Sequence, residues 1–429
     1  MLAEKLITYI ARKKNARYLR FSSSAALSVP RKTDDSPTLL YAHIPFCEEL
    51  CPYCSFNRVV FRKDLARSYF EALRTEILMY RDLGYSFQGL YVGGGTPTVL
   101  IDELALTLQL VRETYPVTEI SVETNPNHLT DRNLRILKEV GVNRLSVGVQ
   151  TFDDSLLRIV ERYHKYGSGQ EIWERLRSAQ GVFDTLNVDM IFNFPTQTPE
   201  ILEKDLATLI ALGADQITYY PLMVSSSTQD VMNKKLGIVD YNRGGAYYTK
   251  IVEMLSREYR ATTAWCFSKT KAPIDEYVVN YDEYAGLGSG SIGYLGGSAY
   301  SNTFDIRDYI SRINRGVLPI TAKRDFSLKE RLRYDFLMKL FGLELDLERL
   351  SAKHGAAAYG HLWPEITFFR LIGGLRKEGK VLRLTETGQY YWVLMMREFF
   401  IGVNNFRDYC RAELPKEPGY SKIPNPSPK

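Results

Sequence analysis

The sequence is poor in the features that mark disulfide-stapled, membrane-spanning and nucleic-acid-binding proteins. It has only five cysteines in 429 residues, and 55 basic residues are nearly balanced by 50 acidic ones. No apolar run reaches the roughly 18 residues needed to cross a bilayer. An odd, clustered set of cysteines argues against a disulfide framework, and the small net charge argues against nucleic acid. No secretion signal is recognisable, so the cytoplasm is the expected location.

Short apolar runs alternate with helical patterns over the first half of the chain, which predicts an α/β fold with parallel strands. Helical crossovers are right-handed, so we expect a partial (β/α)6 TIM-like barrel with its chemistry at the carboxyl ends of the strands. The predicted strands are Leu39–Ile44, Gly89–Val92, Glu119–Glu123, Arg144–Val149, Asn187–Phe192 and Gln216–Tyr220. The predicted helices are Asp64–Leu83, Asp102–Thr114, Asp131–Val140, Gly169–Ala179 and Pro199–Leu212.

Changes in composition divide the chain into five segments. Residues 1–37 form a basic, irregular arm, for which we weigh a solvated tail, a flap over an active site, and contact with anionic lipid. Residues 38–240 form the core domain, and 241–325 a connecting region that closes the barrel. Residues 326–412 predict a smaller helical or winged-helix-like domain with one strand, Val381–Leu384. The tail, 413–429, is rich in Pro and Lys and is expected to be disordered.

Three of the five cysteines follow the first predicted strand, in the sequence YAHIPFCEELCPYCSF. Cys47, Cys51 and Cys54 have the spacing C-x3-C-x2-C, and their soft thiolates suit either zinc or an iron–sulfur cluster. A structural zinc site needs four protein ligands, and no fourth ligand is evident nearby. A [4Fe–4S] cluster held by three cysteines keeps one iron open to another molecule. We therefore expect the cluster.

Polar and glycine residues end the next four predicted strands. Gly93–Gly95 lie in YVGGGTPT, where bare N–H groups would allow close approach of a ligand. Glu123 ends the third strand, Gln150 ends the fourth, and Asp189 lies in the fifth. Each residue alone would be read as a polar group at the barrel rim. Together they predict one convergent pocket.

From Leu39 to about Pro221 the chain resembles the radical S-adenosylmethionine (SAM) core of the oxygen-independent coproporphyrinogen III oxidase (HemN-like) family, through YAHIPFCEELCPYC, YVGGGTPT, RLSVGVQ and FPTQT. The resemblance implies a [4Fe–4S] cluster, a 5′-deoxyadenosyl radical and two SAM molecules. Around the first SAM it places Tyr41, Gly94 and Glu123. Around the second it places Tyr53, Gly95, Thr96, Gln150, Arg162, Asp189 and Met223.

Two departures from the family pattern bear on the reaction. The oxidases carry a further cysteine shortly after the third one, and this cysteine is missing here because Ser55 and Phe56 follow Cys54. The heme chaperones carry a His and a Trp in a segment that matches Val278–Tyr294, and neither residue is present there. The resemblance then favours a class C methyltransferase that methylates an sp2 carbon of an aromatic or quinone substrate, such as C8 of menaquinone. The alternatives are coproporphyrinogen III oxidation, other tetrapyrrole chemistry, and heme transfer by a chaperone.

The resemblance also implies partners. They are a small aromatic, quinone or tetrapyrrole substrate and an electron donor such as flavodoxin or ferredoxin, with no nucleic acid. A lipid quinone would require peripheral contact with the inner face of the membrane, and the apolar segment WVLMMREFFIGVNNFRD has the basic edge for such contact, although a buried helix is the commoner role of such a segment.

Overall fold

The computed structural model describes residues 2–23, 27–32, 36–269 and 277–416. Its strands are β1 (Thr38–Ile44), β2 (Phe46–Cys47), β3 (Val59–Val60), β4 (Gly89–Gly94), β5 (Glu119–Thr124), β6 (Arg144–Gln150), β7 (Thr185–Phe192), β8 (Gln216–Pro221), β9 (Arg260–Ala261), β10 (Cys266–Ser268), β11 (Glu283–Leu287), β12 (Ile292–Leu295), β13 (Ser298–Asn302), β14 (Ile320–Asp325), β15 (Glu344–Asp346), β16 (Leu375–Glu378) and β17 (Val381–Leu384). Its helices are α1 (Leu2–Tyr18), α2 (Lys63–Asp82), α3 (Ile101–Thr114), α4 (Asp131–Glu139), α5 (Asp154–Ile159), α6 (Tyr163–Tyr166), α7 (Gly169–Ala179), α8 (Pro199–Leu212), α9 (Ser226–Leu236), α10 (Gly244–Leu255), α11 (Tyr277–Asn280), α12 (Ile306–Asn314), α13 (Leu328–Phe341), α14 (Leu347–His354), α15 (Ala358–Leu371) and α16 (Glu386–Ala412).

Twelve strands form one mixed sheet in the order β14-β13-β12-β11-β1-β4-β5-β6-β7-β8-β10-β9. The six strands predicted from the sequence are its centre, and each pairs in parallel with the next. Helices lie between them in the chain, because parallel neighbours need a long crossover connection. The α/β prediction is confirmed, and all six strand ends that carry the predicted site residues lie along one edge.

The sheet is open in the part of the chain that the structure describes. We expected residues 241–325 to close a barrel, but their strands extend both edges. β11 adds in parallel to β1, and β12, β13 and β14 follow it as an antiparallel meander. β10 and β9 add antiparallel beyond β8. Short turns join β11 to β12, β12 to β13 and β9 to β10, and an antiparallel neighbour needs only such a tight connection.

A buried carboxylate fixes the turn between β11 and β12. Glu76, on α2, is fully buried and accepts hydrogen bonds from the Gly288 amide at 2.8 Å and the Tyr309 hydroxyl at 2.6 Å. The Asn302 side-chain amide donates a third, at 3.3 Å. Burial raises the pKa of Glu76 to about 7, because removing water penalises the charged form, and the three donors only partly offset this. The network ties α2, α12 and the sheet together beside the cavity described below.

The N-terminal segment contains a helix where the sequence suggested an irregular arm. α1 packs on α16, and Ile7 of α1 is buried. Arg12 pairs with the buried Glu398 at 2.9 Å. The two helices approach closely at Gly402, where an added Cβ would lie 2.9 Å from Leu19 Cδ1. The apolar face of α1 is too weak to recognise alone, and the contact with α16 stabilises the helix.

The C-terminal segment is helical, as its pattern indicates, and contains a small antiparallel sheet in the order β15-β17-β16. β17 coincides with the strand predicted at Val381–Leu384. The predicted disordered tail is described only to Lys416, where a short turn of 3₁₀-helix ends, and its remainder lies outside the described residues. Among the described helices, none is long and apolar enough to span a bilayer.

Candidate functional site

The cysteine-bearing loop leaves the sheet at the end of β1 and is closed at its base. β2 and β3 pair in parallel across the two ends of the loop. Inside it, the Cys54 amide donates to the Cys51 carbonyl at 3.3 Å. The Arg58 guanidinium donates to the carbonyls of both cysteines, at 2.6 Å to Cys51 through Nη2 and at 3.2 Å to Cys54 through Nε. The backbone of the loop is therefore held by one of its own cations, which the cysteine spacing alone does not indicate.

The cysteine sulfurs have hydrogen-bond donors close to them. The Thr96 hydroxyl donates to Cys47 Sγ at 3.6 Å, and Asn125 in turn donates to the Thr96 oxygen at 2.8 Å. Arg162 donates to Cys51 Sγ at 3.7 Å. Burial raises the pKa of the Cys47 thiol to about 11 despite the Thr96 bond. A metal centre that binds these thiols must therefore displace their protons.

The glycine segment after β4 is built for close backbone contact. The amides of Gly95 and Thr96 donate to the carbonyls of Ile44 and Phe46, both at 2.7 Å. An added Cβ on Gly95 would lie 2.7 Å from the Phe46 oxygen, so only glycine is accommodated. We expected these amides to face a ligand. Instead these amides attach the end of β4 to the start of the cysteine loop, because the two segments run side by side here.

Tyr41 lies in β1 and Glu123 near the end of β5, and β4 runs between these two strands. The Glu123 carboxylate accepts from the Gly94 amide at 3.0 Å and from the Tyr91 hydroxyl at 2.9 Å. The Tyr41 hydroxyl lies 2.9 Å from His43 Nδ1, and burial lowers the pKa of His43 to about 4. The imidazole is therefore neutral and orients Tyr41. The Glu123 carboxylate is fixed by these two donors at the edge of the cavity.

A second polar group lies at the ends of β6 and β7. Arg162 is 3% exposed, donates to Tyr53 Oη at 3.2 Å, and its Nε has no hydrogen-bond partner among the described residues. Asp189 accepts from Ser146 at 2.6 Å and from Asn187 at 2.8 Å. These contacts point a fixed carboxylate and a buried cation toward the same space.

Gln150 has a strained backbone at this position. Its φ is +77°, which non-glycine residues rarely adopt, and the ladder between β6 and β7 shifts register between Gly148 and Gln150. Such strain is retained where surrounding structure holds it, and it clusters at functional sites. The Gln150 amide reaches toward Gly148, where an added Cβ would lie 3.1 Å from it. A side chain at position 148 would thus fill the space beside Gln150.

One cavity of about 770 Å³ joins both polar groups and the cysteines. All thirteen predicted site residues line it, including Met223, which follows β8. The strand ends form one wall, and α1, α13, α15 and α16 supply the others. The aromatic residues that line these walls and the turns beside them are Tyr18, Phe21, Phe56, Tyr220, Tyr284, Tyr294, Phe326, Tyr334, Phe336, Phe368, Phe369, Phe399 and Phe400.

Several site features were missed or misplaced by the sequence analysis. Arg58 and Asn125 were missed, although Arg58 is the only basic residue in the cysteine loop and Asn125 closely follows Glu123. The aromatic run at 390–392 could stack on a flat ring by its composition, but Trp392 is fully buried and donates to the Leu337 carbonyl at 3.0 Å. Tyr390 stacks on Tyr248 instead. This run belongs to the core because its helix face packs inward.

Comparison with known proteins shows what the chain is similar to. Residues 41–209 match the model of the Radical SAM superfamily. The heme chaperone HemW of Bacillus subtilis (strain 168) is 29% identical over 343 residues, covering 76% of this chain and 89% of that protein. The oxygen-independent coproporphyrinogen III oxidase of Pseudomonas aeruginosa is 27% identical over 408 residues, covering 86% of both. The chain is thus similar to HemN-like radical SAM proteins over most of its length, and residues 41–209 carry the match to the superfamily.

The solved structure of coproporphyrinogen III oxidase (HemN) from Escherichia coli has the same fold. It aligns with a TM-score of 0.71 at 22% identity, over 89% of this chain and 98% of the other. The match to the Radical SAM superfamily implies that the cofactors of this chain are a [4Fe–4S] cluster and SAM. The mixed open sheet and the helical C-terminal part described above are therefore features of the radical SAM fold.

The residues present fit these cofactors. Three thiols and an unpartnered buried guanidinium nitrogen line one cavity, as expected for thiolate ligands beside an anionic group. No group of three or more metal-binding side chains in the described ranges is arranged around a single ion.

Proposed function

We propose that the protein is a radical SAM methyltransferase that binds two SAM molecules and methylates an sp2 carbon of a flat aromatic or quinone substrate. The observation that carries the proposal is the pair of polar groups that face one aromatic cavity. One group surrounds Glu123 and the other surrounds Arg162 and Asp189. Arg162 Nε is buried without a partner among the described residues, and buried polar groups are normally satisfied, so a second SAM beside the one at Glu123 accounts for both groups.

In this proposal Cys47, Cys51 and Cys54 hold the cluster. When bound, the cluster and its SAM supply a 5′-deoxyadenosyl radical that abstracts a hydrogen atom. Tyr41, Gly94 and Glu123 bind this first SAM. Glu123 is fixed by Tyr91 and the Gly94 amide, so its carboxylate is already oriented to accept from the ribose hydroxyls.

The second SAM would lie against the other polar group. Arg162 offers its unpartnered Nε to the carboxylate, and Asp189 presents a carboxylate that Ser146 and Asn187 already orient. Gln150 adds a side-chain amide from its strained position. In this proposal the remaining contacts come from Tyr53, Gly95, Thr96 and Met223, which also line the cavity.

The substrate end of the cavity is apolar and aromatic. Flat rings stack favourably on such side chains, and exclusion of water protects a carbon radical from side reactions. The wall from α16 contributes Met395, Phe399, Phe400 and Val403, with Asn404 and one cation, Arg407, at its end. This chemistry suits an uncharged ring, and the naphthoquinone of menaquinone, methylated at C8, is the candidate we propose. The electron donor would be a flavodoxin or a ferredoxin.

Coproporphyrinogen III oxidation is the second candidate, because basic residues also line the cavity and could pair with propionates. They include Lys14, Arg333 and Arg407. Arg333, however, already donates to Glu365 at 2.7 Å and to Tyr18 at 2.9 Å. Phe56 follows Cys54 in the segment where the oxidases carry their further cysteine. The Arg407 guanidinium lies over the Phe56 ring, 4.6 Å from its centre. These contacts favour the uncharged substrate.

Product analysis distinguishes the candidates. The oxygen-protected, cluster-loaded protein is incubated with reductant, methyl-deuterated SAM and one of three compounds: a menaquinone analogue, coproporphyrinogen III or heme. Methyl transfer gives equal amounts of 5′-deoxyadenosine, S-adenosylhomocysteine and methylated quinone, with deuterium in the 5′-deoxyadenosine. Release of carbon dioxide without S-adenosylhomocysteine would replace the proposal with porphyrinogen oxidation, and tight heme binding without SAM turnover would replace it with a chaperone.

Thr96 provides a test of the cluster site that does not depend on activity. Its hydroxyl is the donor to Cys47 Sγ, and hydrogen bonds to cluster sulfurs raise the reduction potential. We expect Thr96→Val to lower the potential of the cluster by about 40 mV, the equivalent of one hydrogen bond of about 1 kcal/mol. A potentiometric titration followed by electron paramagnetic resonance measures this without SAM.

Thr98→Val is the matched control for this measurement. The Thr98 hydroxyl is also buried, but it bonds to the Thr124 hydroxyl and to His128 Nδ1, both at 2.7 Å. The control should keep the parent potential. Equal potentials for Thr96→Val and the parent would show that Cys47 does not bind the cluster in this geometry.

A further inference from the structure

We infer that the outer face of α1 docks on a negatively charged lipid surface. The docking surface consists of Leu2, Leu6 and Tyr9 with Lys5 and Lys13 between them. The three apolar side chains are 85%, 43% and 55% exposed, and their spacing places them on one side of the helix. Large apolar residues grouped on one exposed helix face mark an interaction site.

Charge selects the partner of this docking surface. The helix carries five basic residues and a single acidic one, Glu4. Lys13 lies 4.7 Å from the Tyr9 ring centre, so a cation borders the apolar patch directly. Arg17 extends the basic character along the same side. An apolar strip bordered by lysine and arginine is the pattern of helices that lie in the interface of an anionic bilayer.

A second copy of the chain fits this surface poorly. Pairing two α1 helices through the same face would bring Lys5, Lys13 and Arg17 of both copies together, and like charges at an interface oppose association. A nucleic acid would use the cations but would leave Leu2 and Leu6 in water. A lipid surface uses both, since acyl chains accept the apolar side chains and phosphate groups meet the cations.

The opposite face of the same helix connects this surface to the cavity. Ile7, Ala11 and Lys14 line the cavity, so one helix, about 10 Å across, separates it from the docking surface. α1 is held at the cavity by its contact with α16 and by the Arg12–Glu398 pair. A lipid-docked α1 would therefore bring the cavity to the membrane surface, where a lipophilic ring substrate could enter. The docking itself does not depend on the reaction we propose.

Vesicle flotation of the full, cluster-loaded chain tests the inference. We expect the protein to float with vesicles that contain phosphatidylglycerol and not with pure phosphatidylcholine, and to be released by high salt. The double variant Leu6→Glu/Tyr9→Glu should bind at least about tenfold more weakly, and Lys13→Glu about fivefold. Leu106→Glu, on the exposed side of α3 and 54% exposed in the parent, is the matched control and should bind like the parent.

Several outcomes would overturn lipid docking. They are failure of the parent to float with the anionic vesicles, equal flotation of the double variant, or loss of a parent dimer in that variant. Circular dichroism of each variant verifies that the chain is folded. Neither Leu6 nor Tyr9 lines the cavity, so methylation of a water-soluble quinone should be unchanged in the double variant. Normal flotation without any methyl transfer would refute the proposed chemistry and leave the docking intact.

Discussion

Cys51→Ala is expected to abolish SAM cleavage and to reduce bound iron and sulfide to background. Cys51 is buried in the cavity and receives a hydrogen bond from Arg162, so no solvent ligand can take its place without exposing that cation. A cluster that keeps only two protein thiolates is lost or inactive, because each iron needs its ligand. Iron and sulfide analysis, visible absorption, and 5′-deoxyadenosine formation under dithionite measure the effect. Cys47→Ala and Cys54→Ala should behave in the same way.

Cys266→Ala is the matched control for the three ligand variants. Cys266 lies in β10, is fully buried, and accepts a hydrogen bond from Thr218 rather than lining the cavity. Its replacement should leave the iron content and SAM cleavage at the parent level. A Cys51→Ala protein that is folded, contains four irons and forms 5′-deoxyadenosine at the parent rate would refute the assignment of the cluster ligands.

Asp189→Ala is expected to weaken the second SAM roughly tenfold to a hundredfold while leaving the first unchanged. Hydrogen bonds to a charged group are worth about 1.5–3 kcal/mol, which corresponds to that range. Asp189 is held by Ser146 and Asn187 and lies apart from Glu123 along the strand ends, so the first SAM keeps its contacts. Equilibrium dialysis with labelled SAM should show two sites in the parent and one in the variant. In turnover assays of the variant, the formation of S-adenosylhomocysteine should fall more than the formation of 5′-deoxyadenosine.

Asp184→Ala provides the control for Asp189. Asp184 immediately precedes β7, is exposed, and pairs only loosely with Lys138 at 3.6 Å. This variant should retain two SAM sites, and thermal unfolding of both variants separates binding from folding. If Asp189→Ala weakened only the SAM at the cluster, the division of the site residues between two SAM molecules would be wrong.

The central sheet could be predicted from the sequence because its signals are local. The strand at Leu39–Ile44 and the helices at Gly169–Ala179 and Pro199–Leu212 were placed to within a residue. Buried parallel strands are short continuous apolar runs, and Ser168 and Thr198 cap the two helices with side-chain hydrogen bonds. Each of these features is decided by residues only a few positions apart.

The edges of the sheet and the N-terminal helix were not predictable in this way. β11 lies next to β1 although more than 200 residues separate them in the chain. The fold of α1 depends on α16, where Gly402 permits a close approach. Partners this distant leave no pattern in the local sequence. The local sequence therefore suggests an irregular arm for residues 1–37 and a barrel closure for residues 241–325.

The sequence by itself determined the α/β class, the cysteine ligands proposed for the cluster, and the set of polar residues at the strand ends, because parallel strands bring their carboxyl ends to one edge whatever surrounds them. Only the tertiary structure decided what encloses that edge. Contacts between distant segments build the aromatic walls from α13, α15 and α16. They also engage the Gly95 amide and place α1 between the cavity and solvent. Such contacts are set by packing rather than by local sequence.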